Sequence, residues 1–198
     1  MFDVFQKGLI RGSERLPFDP SKKYAYVEHP KEGWRVYLRS CVFLHPAYKP
    51  FDKKNFLVVK DTSSNSWEPP KGQMEGKDLK DKSVLESLKD NAIRETKEES
   101  HISIKNLKHT GLIFQARESD YPSNTYFQYH IFQGFITQNQ VQESLDTFEW
   151  IKEHPKGFAR WSRDRQEKDD VAWFNKTTRL NPRWCPGIVK LYFKFFTK

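Results

Sequence analysis

Apolar and polar positions along the chain fall into short runs with two different periods. Residues 34–43 (WRVYLRSCVF) alternate as a strand does, and 55–60 (NFLVVK) reads as a second strand. Residues 102–107 and 111–116 are predicted as two more, and 125–136 (TYFQYHIFQGFI) is the clearest long strand. Turn-forming residues separate them at 61–66 (DTSSNS) and 118–124 (ESDYPSN). A helix is predicted over 83–100, because Ser83-Val84-Leu85-Glu86 pairs a hydroxyl with a carboxylate three residues on, the pattern that closes a helix N-terminus. The polar stretch 1–33, with Pro17, Pro20 and Pro30, reads as an arm or irregular strand, and 138–147 as a polar loop. Beyond 155 the run FARWSRDRQEKDD reads as a solvated helix face or loop. At 186–198 apolar residues return at helical spacing, so a C-terminal helix should pack on the core. Strands on both sides of a helix predict a mixed α/β fold, and 198 residues fit one domain, 1–198.

A helical wheel makes the helix at 83–100 informative. Leu85, Leu88, Ala92 and Thr96 fall along one arc, the face expected to meet the core. Glu99 falls inside that arc, Glu95 at its edge and Glu98 one step further round. An ordinary solvated helix turns its acids away from the apolar stripe, since a buried carboxylate without a cation costs several kcal/mol. Arg94 is placed to compensate Glu98 at i+4, which leaves Glu95 and Glu99 in need of partners. Oxygen clusters of this kind suit hard divalent cations such as Mg²⁺.

Just before the helix stands a rigid turn, Trp67-Glu68-Pro69-Pro70-Lys71-Gly72. Together, turn and helix resemble the signature of the Nudix hydrolases, G-x5-E-x7-R-E-U-x-E-E-x-G-U, where U is a bulky apolar residue. Gly72, Arg94, Glu95, Glu98, Glu99 and Ile102 match it, and Glu75 matches an acid that often precedes the first Glu. Three positions depart from it: Asp78 replaces that Glu, His101 replaces the closing Gly, and fifteen residues, 79–93, stand where the signature has seven. A helix lengthened at its N-terminus would absorb the insertion and shift only Asp78.

The resemblance implies an α/β/α sandwich with a catalytic loop and helix, elaborated here by the N-terminal arm and a C-terminal helical extension over 155–198. It also implies Mg²⁺- or Mn²⁺-dependent cleavage of a phosphoanhydride in a nucleoside-diphosphate-linked substrate. By the same resemblance, Glu95, Glu98, Glu99 and the Lys71 carbonyl would hold the metal. Arg94 would orient the acids, and Lys71 with Gly72 would meet the substrate. The general base stays open between Glu95, Glu143 and Glu149, with Glu143 preferred as the residue on the more mobile-looking loop. The WxPPKG turn is similar to that of dinucleoside tetraphosphate hydrolases, and PKG also occurs in mRNA-decapping relatives. A dinucleoside polyphosphate or capped RNA is therefore the expected substrate. Diphosphoinositol phosphates, and a non-catalytic nucleotide- or RNA-binding module, are the alternatives.

Composition narrows the setting. Only 36% of residues are hydrophobic, but 15% are aromatic, and large rings build a core from fewer residues. A net charge of +8 suits polyanionic partners, nucleotides or RNA among them. The two cysteines, Cys41 and Cys185, have no metal-ligand spacing and fit a reducing compartment. No apolar run reaches membrane-spanning length and the N-terminus has no signal-like core. A cytoplasmic protein is expected, with a nuclear location left open.

Overall fold

A computed structural model describes residues 1–79 and 82–195. Its strands are β1 (Ile10–Leu16), β2 (Asp19–Glu28), β3 (Arg35–Pro46), β4 (Leu57–Asp61), β5 (Trp67–Glu68), β6 (Lys71–Gln73), β7 (Lys108–Ala116), β8 (Thr125–Ile136) and β9 (Lys168–Trp173). The helices are α1 (Val84–Ser100), α2 (Gln138–Glu153), α3 (Pro155–Phe158) and α4 (Cys185–Phe195). The larger sheet runs β1-β2-β3-β8-β7, with the short β6 pairing to β3 beyond the end of β2. Only β3 and β8 are parallel, so the sheet is mixed, as expected. A second, antiparallel sheet runs β5-β4-β9.

Central position explains the composition of β3. Covered on both faces, it is buried from Val36 to Pro46 and reads as a near-continuous apolar run. One core gathers Val36, Leu38, Val42 and Leu44 of β3 with Val84, Leu88 and Ala92 of α1 and Val141, Phe148 and Ile151 of α2. A second gathers Cys41 and Phe43 from the opposite face of β3 with Ile188, Val189 and Tyr192 of α4. Helices therefore close both sides of the sheet. The C-terminal helix packs as predicted, although residues 196–198 of that prediction lie outside the described residues. No helix among the described residues is long and apolar enough to cross a membrane.

The structure corrects several sequence readings. The expected arm is in large part a hairpin, β1 with β2, whose Pro20 falls at a register irregularity in a part of β2 that β3 does not reach, where a missing N–H is tolerated. Residues 102–107 bury Ile102, Ile104 and Leu107 but pair with no strand. The polar loop at 138–147 belongs to α2: the Thr137 hydroxyl and Gln140 cap its N-terminus reciprocally, and Val141, Ser144, Phe148 and Ile151 line its buried side. The charged run after 155 ends in β9. In α1, Leu85 is 42% exposed, and Val84 takes the core position assigned to it. Leu88, Ala92 and Thr96 are buried as the wheel predicts, so only its first position, Leu85, departs from the arc.

Candidate active site

The α1 N-terminus forms as its capping pattern requires. Ser83 Oγ accepts from the Glu86 N–H, and the Glu86 carboxylate accepts from the Ser83 N–H at 2.9 Å. At the other end His101 caps the helix in the left-handed conformation, φ 59°, the geometry that usually selects glycine. The departure from the signature at this position is thus in side chain and not in backbone. The imidazole packs on Phe148 and Trp161.

Seventeen residues of helix carry Glu95 and Glu99 inward against the Lys71–Gln73 strand. An atom added at Gly72 as Cβ would fall 2.0 Å from Glu95 Cδ, so the turn needs glycine to admit that carboxylate. The Lys71 N–H donates to Glu99 Oε2 at 2.8 Å. Asn91, fully buried, ties helix to strand: it donates to Ser40 Oγ at 2.6 Å and accepts from Arg94 Nη2 at 2.6 Å.

Arg94 is the hub of the acids. Its guanidinium lies 2.8 Å from Glu98, 2.9 Å from Glu95, 3.5 Å from Asp78 and 3.7 Å from Glu75. Asp78 reaches Arg94 by folding back through a single 3-10 turn, where its carboxylate accepts from the Glu75 N–H at 2.8 Å. Glu99 receives its cation from an unexpected direction. Lys168 of β9, 3% exposed, sits 3.1 Å from Glu99, 2.6 Å from Glu68 and 3.5 Å from Asp61. Lys71 Nζ joins the same group at 3.0 Å from Glu68.

Burial dominates the electrostatics. It pushes the Glu95 carboxyl well above the usual range, with Arg94 pulling back and Glu99, Glu98 and Glu167 adding to the rise. Burial likewise lifts Glu99 to about 7 against the pull of Lys168. Glu68 goes the other way: burial opposes ionisation, but Lys71 and Lys168 together outweigh it and hold the carboxyl low. Lys71 and Lys168, although penalised by burial, are held charged by these acids.

These groups line an open cleft of about 620 Å³, a size suited to a nucleotide. Carboxylates outnumber cationic side chains along its walls, within a chain of net charge +8. The cleft runs round the short β6. The acids of α1 stand on one side, and Arg39, Tyr129 and Trp184 on the other.

Of the residues picked from sequence, Lys71, Gly72, Arg94, Glu95, Glu98 and Glu99 come together here. Glu143 and Glu149 do not: both are exposed on α2 and neither lines the cleft. Glu167, just before β9, lines it instead: it too is exposed, but on the cleft wall, where partial desolvation raises its carboxyl above the ordinary value. Sequence reading missed Glu68, Asn91, Glu167 and Lys168. For Glu68 the available signal was an acid beside the PPKG turn; Lys168, followed by Asp169 and Asp170, carried none.

The donor set is all hard oxygen, which fits Mg²⁺ or Mn²⁺. Among the described residues no three acidic, His or Cys side chains converge as a ready-made metal cluster. Arg94 and Lys168 now neutralise the acids that the resemblance assigns to the ion, and those acids lie within one helical turn of one another.

No protein-family model and no curated protein matches the chain. Solved structures do. It is similar to a NUDIX hydrolase from Nitrosomonas europaea at 14% identity and TM-score 0.48, covering 81% of this chain and 90% of that one. It is similar to a C. elegans Ap4A hydrolase at 16% identity and TM-score 0.45, covering 81% and 96%. A third likeness is to the NUDIX domain of Shewanella oneidensis NrtR, solved with ADP ribose, at 13% identity and TM-score 0.48, covering 85% and 94%.

Proposed function

We propose that this chain is a divalent-metal-dependent hydrolase of the Nudix type. It would cleave a phosphoanhydride in a nucleoside-diphosphate-linked substrate, with a dinucleoside polyphosphate or capped RNA as the leading candidates. The observation that carries this reading is the pair of buried acids, Glu95 and Glu99, packed against the Lys71–Gly72 turn with Glu98 beside them. Burying carboxylates this densely is costly for a fold, and the cost makes sense where cationic ligands and phosphates are to be gathered.

Glu95, Glu98 and Glu99 would hold Mg²⁺ or Mn²⁺, which when bound neutralises phosphate oxygens and acidifies water. Arg94 keeps Glu95 and Glu98 in register, Glu98 through a charge-assisted hydrogen bond and Glu95 through an ion pair. Lys71 supplies a cation for a phosphate oxygen at the turn. Glu167 takes the place first given to Glu143: its raised carboxyl accepts the proton of the attacking water. The water oxygen forms the new P–O bond, the bridging P–O bond breaks, and the leaving phosphate carries away the electron pair.

A substrate panel tests this. Diadenosine polyphosphate, capped RNA, a diphosphoinositol phosphate and an oxidised nucleoside triphosphate would be incubated with wild type and Glu98→Gln, in Mg²⁺ and in Mn²⁺. Cleavage of one class that is lost in the variant supports the proposal. No cleavage in either metal, together with no metal binding by calorimetry, overturns it and leaves a binding module.

A further inference from the structure

On the side of β6 away from the acids, the cleft wall is built for something other than phosphate. Arg39 is 8% exposed, and its guanidinium carbon lies 4.4 Å from the Phe127 ring centre and 4.4 Å from that of Trp184. Those two rings are only 5.8 Å apart, so they sit side by side on the guanidinium instead of sandwiching it. Tyr129 adds a third ring at 5.3 Å.

The edges of the guanidinium are fixed. Nε donates to Gln73, Nη1 donates to the Tyr129 hydroxyl at 3.1 Å, and Nη2 lies 3.7 Å from Glu118. An arginine has five N–H donors. Two of these are hydrogen bonds and the third an ion pair, which leaves three donors, those on the Glu118 side among them, for a ligand in the cleft. Beside them stands the Glu118 carboxylate, which has acceptor sites to spare, and the half-buried rings of Tyr121 and Trp184 line the same wall.

We propose that Arg39, Glu118, Tyr121 and Trp184 form a nucleobase subsite that selects guanine. This rests on the reading of the cleft as a nucleotide site. Guanine presents an acceptor, O6, next to two donors, N1–H and N2–H₂. Arg39 beside Glu118 offers the complement, donors next to a carboxylate able to accept twice. Adenine offers one amino donor on that edge and leaves half of the carboxylate without a partner. The aromatic wall supplies stacking, which any base would gain, so the discrimination lies with the charged pair. The register places this pair one step from the catalytic turn. Arg39 pairs with Gln73, and the neighbouring Ser40 pairs with Gly72, against which Glu95 packs. A base held here has its phosphates directed along β6 towards the acids.

The test uses guanosine and adenosine 5′-monophosphates, which contain no anhydride, with inorganic phosphate as the control. Binding is followed by calorimetry and tryptophan fluorescence in Mg²⁺, for wild type, Glu118→Gln and Trp184→Phe. Guanosine monophosphate should bind at least about tenfold tighter than the adenosine form. Glu118→Gln should bring that ratio close to one and leave phosphate binding unchanged. Trp184→Phe should weaken both nucleotides alike. Equal affinities in wild type overturn the assignment, as does a ratio that survives Glu118→Gln or a variant that shifts phosphate equally. Failure of the hydrolase reading would look different, as base preference without cleavage of any substrate. Cleavage without base preference would sink the subsite alone.

Discussion

Gly72 and Glu95 occupy the same space by mutual exclusion: the carboxyl of one fills the position where a side chain on the other would begin. Gly72→Ala should therefore leave the fold intact, because the group that must yield is the flexible end of Glu95. It should cost roughly a hundredfold in turnover, the scale of an ångström's misplacement in a reacting site. Circular dichroism with steady-state kinetics checks both halves. A variant with native turnover would show that Glu95 has no fixed role.

Arg94→Lys removes the fork that holds Glu95 and Glu98 together, while keeping the charge. Turnover should fall by about ten- to a hundredfold with little change in melting temperature. Loss of stability in proportion to activity would make Arg94 a structural counter-ion only.

Glu167→Gln should slow hydrolysis by a factor of about 10² to 10⁴, the usual contribution of a general base. Glu143→Gln and Glu149→Gln should be silent, since both side chains face solvent on α2. Rate profiles against pH separate the cases, because only loss of the true base removes the acid limb.

Lys168→Met strips Glu99 of its cation and leaves Glu68 with Lys71 alone. Breaking a buried pair of this kind costs about 3–5 kcal/mol. Thermal unfolding should show a drop of roughly 10 °C. Adding Glu68→Gln should recover part of it, and a double variant no better than the single would argue against the shared ion pair.

His130 supplies a pH dependence remote from the acids. Burial first, then the neighbouring His109, depresses its pKa from 6.5 to about 3. The unfolded chain takes up this proton near pH 6.5 and the folded chain only near 3. Its contribution is thus fully present above pH 6.5 and drains as pH falls through that window. His130→Phe should flatten the stability curve between pH 6.5 and 4, measured by urea unfolding. An unchanged slope would mean that other groups set the acid limit.

The elements that sequence reading located best, β3, β8 and α1, are those whose own residues state both partner and face. Ser83 and Glu86 cap α1 from within, and β8 carries its pattern over 12 residues. The elements it lost depend on distant neighbours. β9 opens with Lys168-Asp169-Asp170, which reads as solvated until Glu68 and Glu99 are seen to meet the lysine. α2 has a local cap, Thr137 with Gln140, but its opening residues are polar and read as a loop until Val141, Phe148 and Ile151 meet the core. For the site, the acids of α1 were readable because one helix carries them. Glu167 and Arg39 join them only through the topology of the sheets.

The contrast between a basic exterior and an acid-lined cleft has a consequence for the order of events. A polyphosphate drawn in by the outer field meets repulsion at the threshold, and divalent charge reverses the sign of that last step. Under the proposed function, substrate and metal would act as two keys, and neither alone would open the reaction. A bare polyphosphate should be a poor competitor and its metal complex the true substrate. Varying metal and substrate independently in initial-rate measurements would reveal this as a rate law in their product.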